Sequence, residues 1–343
     1  KIGSPDSWKK NVNSKKKNMK NANKNFKFTN GWLSGFTQAD GCFTITFEKK
    51  KTGLLLKPRP IFVLTQHISE KELFKELHKW LDIGFIITRK EVVELRVRTL
   101  SDFKNKLFPI FDEHPLKCDK LNNYLIFKSI VNKMLCKEHL NLKGLIEIIS
   151  LSFKLNKNTT KRSEISKVRL LNFLTKKHGK FILPDIKIPI INNKGLDLDF
   201  LTGLIDGDGS FNVSFQIKPY KRIKVNFTIV QDLYCKELLE EVKNFFKCGN
   251  VYNLPSAAVR FQVEDFKLIL SNVEPVLRKV YFNTQKKEHY EILIKVSKIL
   301  EEKKLSKEMF REIIEIAYNS NKLGERRKFS KEEIIKRLED SYK

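Results

Sequence analysis

Across 343 residues the chain carries 67 Lys and Arg against 40 Asp and Glu, a net charge of +27 that exceeds what solubility needs and points to a polyanionic partner. No run of about 18 apolar residues occurs, which excludes a membrane-spanning helix, and basic residues spread over the whole length favour nucleic acid over a membrane surface. The five cysteines (Cys42, Cys118, Cys136, Cys235, Cys248) lack Cys-x-x-Cys spacing, which argues against a zinc knuckle or a disulfide framework and for a reducing compartment.

The length favours two domains of roughly 150 residues each. Residues 1–27, rich in Lys and Asn with few apolar side chains, read as a disordered basic arm. The first residue is Lys1 rather than Met, which leaves room for a missing leader or a processed precursor. A first domain, 28–150, opens on a short apolar helix, Trp32-Leu33-Ser34-Gly35-Phe36-Thr37-Gln38-Ala39-Asp40-Gly41. Period-two alternation follows, with Phe43, Ile45 and Phe47 against Thr44, Thr46, Glu48 and Lys50, the pattern of a half-buried strand. A second apolar run, Ile61 to Gln66, pairs with it as a hairpin across a basic turn. An amphipathic helix over Glu70 to Leu81, two more strands holding Leu95-Arg96-Val97-Arg98, and helices from Asp102 complete the unit.

Residues 151–197 read as a linker with some structure, containing a polar Asn156 to Ser163 segment and a turn region at Pro184 and Pro189. The domain at 198–304 then repeats the first in the same order. Its helix is Phe200-Leu201-Thr202-Gly203-Leu204-Ile205-Asp206-Gly207-Asp208-Gly209, and its alternating strand sets Phe211, Val213, Phe215 and Ile217 against Asn212, Ser214, Gln216 and Lys218. Val225 to Gln231, a helix over Lys236 to Phe246, a strand with Val259-Arg260-Phe261-Gln262 and helices from Asp265 follow. A basic helical tail, 305–343, holds a helix over Ser306 to Asn319, a Gly324 to Lys328 loop and a capping box at Ser330-x-x-Glu333, and it reads as packing on the second domain and lending charge. The fold class is α+β: helix, two strands, helix, two strands, helix, twice over.

The two nonapeptides, Leu33 to Gly41 and Leu201 to Gly209, resemble the paired signature motifs of LAGLIDADG homing endonucleases and maturases, and the resemblance spans about 30–300. It implies two pseudo-symmetric αββαββα domains whose antiparallel sheets form a DNA-binding saddle. Gly35 and Gly203 let the two motif helices approach closely, and Gly207 in place of Ala39 reads as conservative for packing. The resemblance implies catalytic and metal-binding roles for Asp40 and Asp208, with no role assigned to the backbone at Ala39. Gln66 and Gln231 match the active-site glutamine, and Lys120 and Lys286 match the basic residue near the scissile phosphate. Mg²⁺ is the implied cofactor, with Mn²⁺ or Ca²⁺ able to substitute for binding. Gln38 departs from the acidic sixth position that Asp206 keeps, a position with a capping or interface role.

Strand parity gives the DNA-contact candidates: Thr44, Thr46, Glu48, Lys50, Arg59, Arg96 and Arg98 in the first repeat, and Asn212, Ser214, Gln216, Lys218, Lys224, Asn226, Arg260 and Gln262 in the second. Unlike contact sets in the two halves imply a long asymmetric double-stranded target bound by a monomer. The reading is a site-specific, intron-encoded DNA endonuclease. Its alternatives are an intron RNA maturase, with intron RNA as partner, and a catalytically silent RNA-binding protein. Enrichment in Lys, Asn, Ile, Leu and Phe fits an A/T-rich organellar genome, mitochondrial before plastid.

Overall fold

The computed structural model describes residues 25–54, 56–156, 164–188, 195–302, 304, 306–320 and 328–342. Most of the expected basic arm (1–24), the polar segment from 157 to 163, Pro189 and the loop from 324 to 327 therefore lie outside the described residues.

The first half begins with helix α1 (Asn30–Asp40), whose N-terminus is capped by Thr29, its Oγ1 accepting from the Trp32 N–H at 3.0 Å. Strands β1 (Gly41–Lys49) and β2 (Leu56–His67), helix α2 (Lys71–Leu81), and strands β3 (Phe85–Thr88) and β4 (Val92–Val97) follow. The sheet is antiparallel throughout, in the order β1-β2-β4-β3. Strand β2 is longer than the apolar run Ile61 to Gln66 indicated, because Pro58 and Pro60 interrupt the pattern. Both prolines face β1 alone, while β4 joins only from Phe62 onward, so their missing N–H groups break no ladder on the second side. Helix α2 buries Leu73, Phe74, Leu77 and Leu81 at helical spacing and stops at Asp82 in the left-handed conformation, φ 54°. Helical turns from Leu100 lead through a π segment (Phe103–Leu107) into α3 (Phe108–Glu113) and α4 (Cys118–Leu135). Next come α5 (Leu142–Lys154) and α6 (Glu164–His178).

The second half repeats the plan. Helix α7 (Leu198–Asp208) is capped by Asp197, and strands β5 (Gly209–Gln216) and β6 (Arg222–Asp232), helix α8 (Lys236–Phe246), and strands β7 (Asn250–Leu254) and β8 (Ala258–Val263) form a sheet in the order β5-β6-β8-β7. A π segment (Ile269–Val273) recurs at the equivalent place, followed by α9 (Glu274–Leu277), α10 (Lys286–Glu302), α11 (Lys307–Ala317) and α12 (Lys331–Asp340). The Ser330 cap of α12 accepts from the Glu333 N–H, the bond its sequence signature announces.

Each half has its own core. Phe43, Phe62, Phe111, Tyr124 and Phe127 fill the first, and Phe211, Phe227, Phe246, Phe261 and Phe282 the second. Between the halves, α1 packs on α7 at a separation that only glycine permits. A Cβ on Gly35 would lie 1.9 Å from the Phe200 carbonyl oxygen, and one on Gly203 would lie 2.0 Å from that of Trp32.

The domain limits shift in two places. Position 150 falls inside α5, and Leu174 of α6 packs with Leu56, Leu145 and Ile149, so part of the linker belongs to the first half. The tail, read as packing on the second half, contributes Phe310, Ile313 and Leu338 to the second core. Residues 25–27, assigned to a disordered arm, are held. The Lys27 N–H donates to Asn283 Oδ1 and its carbonyl accepts from Asn283 Nδ2, both at 2.8 Å, while Phe26 stacks on Phe28.

Candidate active site

Helices α1 and α7 end together, so their last residues, Asp40 and Asp208, meet at the interface of the two halves. The proximity is steric as well as electrostatic: a Cβ on Gly207 would sit 2.2 Å from Ala39 Cβ and 2.7 Å from Asp40 Oδ2. Gly207 is thus required opposite Ala39 rather than interchangeable with it, a correction to the expectation of a conservative exchange.

Gln66 and Gln231 close their strands on the parity of the core residues Leu64 and Ile229, which aims them down at the helix ends rather than out of the sheet. Gln66 Nε2 donates to Asp40 Oδ2 and Gln231 Nε2 to Asp208 Oδ2, each at 2.5 Å. Lys120 and Lys286 arrive at the starts of α4 and α10. Lys120 Nζ donates to the Gly41 carbonyl at 2.5 Å, and Lys286 Nζ donates to the equivalent carbonyl of Gly209 and, at 3.4 Å, to that of Gly207. All six residues expected at the centre therefore come together, three from each half.

Burial and the neighbouring Asp208 charge push the Asp40 carboxyl up to about 7, against the pull of Gln66, Lys286 and Lys120. Burial likewise raises Asp208 to about 6, opposed by Lys286, Lys120 and the Gln231 bond. Lys286 is itself pulled below its ordinary range by burial, with the Asp208, Asp206 and Asp40 charges opposing. Two enclosed carboxylates that resist ionisation are a site short of positive charge, and their oxygens are the donors Mg²⁺ takes from a protein. Among the described residues no cluster of three or more His, Cys, Asp or Glu side chains forms, so water and phosphate oxygens would complete the coordination.

A stability prediction follows from these shifts. The unfolded carboxyls ionise near the ordinary value of 3.8 while the folded ones hold their protons to about 7 and 6, so the folded state loses stability as pH rises between those limits. For metal-free protein, Asp40→Asn will raise the melting temperature at pH 8 and leave it unchanged near pH 4, a stabilisation on the order of 2–4 kcal/mol at the higher pH. Calorimetry in chelator across that range checks it.

The open faces of the two sheets carry the contact candidates. On the first, Thr44, Thr46 and Glu48 of β1 lie beside Arg59, with Lys50 just beyond the strand, Arg96 on β4 and Arg98 just past it. Glu48 is held down to about 2 by Lys50 and Arg59, and Arg96 pairs with Glu94 at 2.7 Å. Arg98 lies over the Phe85 ring at 5.1 Å. On the second sheet Asn212 faces Asn226, Ser214 faces Lys224, and Gln216 faces Arg222, while Lys218 occupies the turn. Arg260 and Gln262 come from β8. Gln262 donates to Glu264 at 2.5 Å, whereas Asn226 Oδ1 and Arg260 Nε are buried without a partner among the described residues.

Parity carried along the full strands adds Lys57, Thr65, Arg222, Thr228 and Tyr252 to these faces. The proline-broken pattern of β2 concealed Lys57, and the short β7 concealed Tyr252. Gln38 and Asp206 prove to be buried interface groups: Gln38 Oε1 accepts from the Lys117 N–H at 2.9 Å, and Asp206 accepts from Trp32, Asn283 and Thr284.

Compared with known proteins, residues 33–131 and 201–297 match the family described as LAGLIDADG endonuclease. A probable intron-encoded DNA endonuclease of Mycosarcoma maydis is 37% identical over 270 residues, 77% of this chain and 97% of that protein. The LAGLIDADG homing endonuclease I-GzeII, in complex with its DNA target, superposes with a TM-score of 0.75 at 27% identity over 86% of this chain and 99% of that one. I-SmaMI bound to cleaved DNA gives 0.79 at 25% identity, covering 88% and 100%, and I-SmaMI bound to uncleaved target with calcium ions gives 0.76 at 25% identity, covering 86% and 99%.

Proposed function

Because the chain belongs to the LAGLIDADG endonuclease family, we propose that it is a monomeric, intron-encoded homing endonuclease that hydrolyses both strands of a long asymmetric DNA site at Asp40 and Asp208. The observation that carries this is the meeting of two enclosed carboxylates, each with its own Gln and Lys, beneath two sheets whose open faces are polar and basic. The site is complete within one chain. The relatives act on DNA by name, and the I-SmaMI complexes hold cleaved DNA or calcium with uncleaved DNA.

Asp40 and Asp208 would hold divalent cations, Mg²⁺ in the cell and Mn²⁺ or Ca²⁺ as substitutes for binding. Such ions, when bound, offset the charge that builds on the phosphate and the departing 3′ oxygen and make a nearby water easier to ionise. Gln66 and Gln231 each donate to one carboxylate oxygen and so fix the plane in which the other oxygen faces the cleft. Lys120 and Lys286, tethered to glycine carbonyls beside the carboxylates, place fixed positive charge where the pentacovalent phosphate forms. Thr44, Thr46, Glu48, Lys50, Arg59, Arg96 and Arg98 read one half-site and Asn212, Ser214, Gln216, Lys218, Lys224, Asn226, Arg260 and Gln262 the other, each good bidentate pair contributing about 1–3 kcal/mol of discrimination. Asn226 Oδ1 and Arg260 Nε, buried with no partner among the described residues, support that role, since such atoms are costly unless a ligand satisfies them. Intron-encoded fungal relatives and the A/T-biased composition support an organellar, mitochondrial setting.

Incubation with the uninterrupted insertion-site DNA of its source intron and Mg²⁺ will give a double-strand break that EDTA abolishes. Absence of cleavage, with tight binding to the folded intron RNA, would instead establish the maturase.

A further inference from the structure

The two halves hold their lysines differently. In the second, the segment leading to Lys286 is clamped by one carboxylate: Asp206 Oδ2 accepts from the Asn283 N–H at 2.9 Å, and Oδ1 accepts from the Thr284 N–H at 3.1 Å and its hydroxyl at 2.6 Å. Thr284 Oγ1 in turn accepts from the Lys286 N–H at 3.2 Å. A fourth donor crosses from the other half, Trp32 Nε1 to Asp206 Oδ2 at 2.8 Å. The clamp extends outward as well, since the Asn283 side chain makes both of its bonds to the Lys27 backbone.

The first half keeps one bond of this set. Gln38, the counterpart of Asp206, accepts from the Lys117 N–H, the counterpart of the Asn283 bond. Cys118 stands where Thr284 stands, with a left-handed backbone, φ 50°, and its free thiol is hydrogen-bonded to the free thiol of Cys235 across the interface. Phe200 occupies the place of Trp32 and has no side-chain donor to offer. The exchanges match chemically: a carboxylate is served by an indole N–H and a hydroxyl, whereas a neutral amide is set opposite a phenyl ring and a thiol. A buried carboxylate with four donors fixes its partners more tightly than an amide with one, because each charge-assisted bond is the stronger kind and leaving any unmade is costly.

We propose that Asp206 is a positioning residue that sets Lys286 against its phosphate, so that the Trp32–Asp206–Thr284 clamp governs cleavage of one DNA strand and not the other. This rests on the reading that each half's Asp, Gln and Lys serve one strand. End-labelled duplex, with single-turnover rates followed separately for each strand, tests it. Lys286→Met identifies the strand that depends on that lysine. Asp206→Asn will slow the same strand by about tenfold or more, the scale of a small misplacement of a catalytic group, and leave the other strand unchanged, so that nicked product accumulates. The double variant Trp32→Phe with Asp206→Gln rebuilds the Phe200–Gln38 pairing the protein already accommodates, and it will show the same strand bias with a melting temperature close to that of the parent. Equal slowing of both strands in these variants, or an unaltered strand ratio, overturns the proposal. If Lys286→Met itself slows both strands alike, the one-lysine-per-strand premise fails first, and the proposal with it.

Discussion

Asp208→Asn and Asp40→Asn will each lower the rate of double-strand cleavage by on the order of 10²–10³-fold while leaving the protein folded and bound to DNA. The substitution is nearly isosteric, and the amide can still accept the bond that Gln231 or Gln66 donates, so the packing of α1 on α7 is preserved. What is lost is one of the two negative charges that would hold a cation. Affinity for DNA will be equal or higher, because the removed charge faces the phosphates. The metal-free protein will also be more stable above pH 7, since burial and the neighbouring carboxylate already hold Asp40 at about 7. Loss of activity together with gain of stability separates a chemical defect from a folding defect. Strand-resolved assays alongside binding titrations and calorimetry test the whole pattern. Retained cleavage in either variant would remove that aspartate from the chemistry.

Gly203→Ala and Gly35→Ala will be among the most destabilising single changes available, about 3 kcal/mol or more each, at or above the upper end of the usual cost of overpacking because the clash is with backbone. The added methyl at Gly203 would meet the Trp32 carbonyl oxygen at 2.0 Å and the Phe36 N at 2.6 Å, and at Gly35 the Phe200 carbonyl oxygen at 1.9 Å. Every one of these is backbone, which cannot rotate away as a side-chain terminus can. Relief requires the two helices to separate, and separation moves Asp40 from Asp208. Denaturant melts will show the lost stability, and cleavage of both strands will fall together, in contrast to the one-strand effect expected of Asp206→Asn. By comparison, Gly53→Ala, where no atom lies within 4 Å of the added carbon, carries only the cost of its positive φ of 67°.

The repeated order of elements was legible because each carries a local signal. Period-two alternation marks β1 and β5, helical spacing of apolar residues marks α2 and α8, and Ser330 with Glu333 marks the start of α12. Strand β2 was foreshortened because Pro58 and Pro60 signal a break that is harmless only where a single neighbour pairs. The tail read as packing on the second half, but an amphipathic helix does not announce which residues it covers; Phe310 and Leu338 enter the second core.

By itself the sequence determined the duplicated α+β plan, the family and the pair of motif aspartates, since periodicity, duplication and motif residues are written along the chain. Only the tertiary structure decided what depends on distance between remote residues. Gly207 must oppose Ala39, the lysines reach the glycine carbonyls next to the aspartates, and Asp206 gathers Trp32, Asn283 and Thr284 while Gln38 accepts from Lys117 and donates to Cys235. A near-symmetric sequence hides such differences, because a hydrogen bond depends on which partner the fold brings within about 3 Å and not on the residue type by itself.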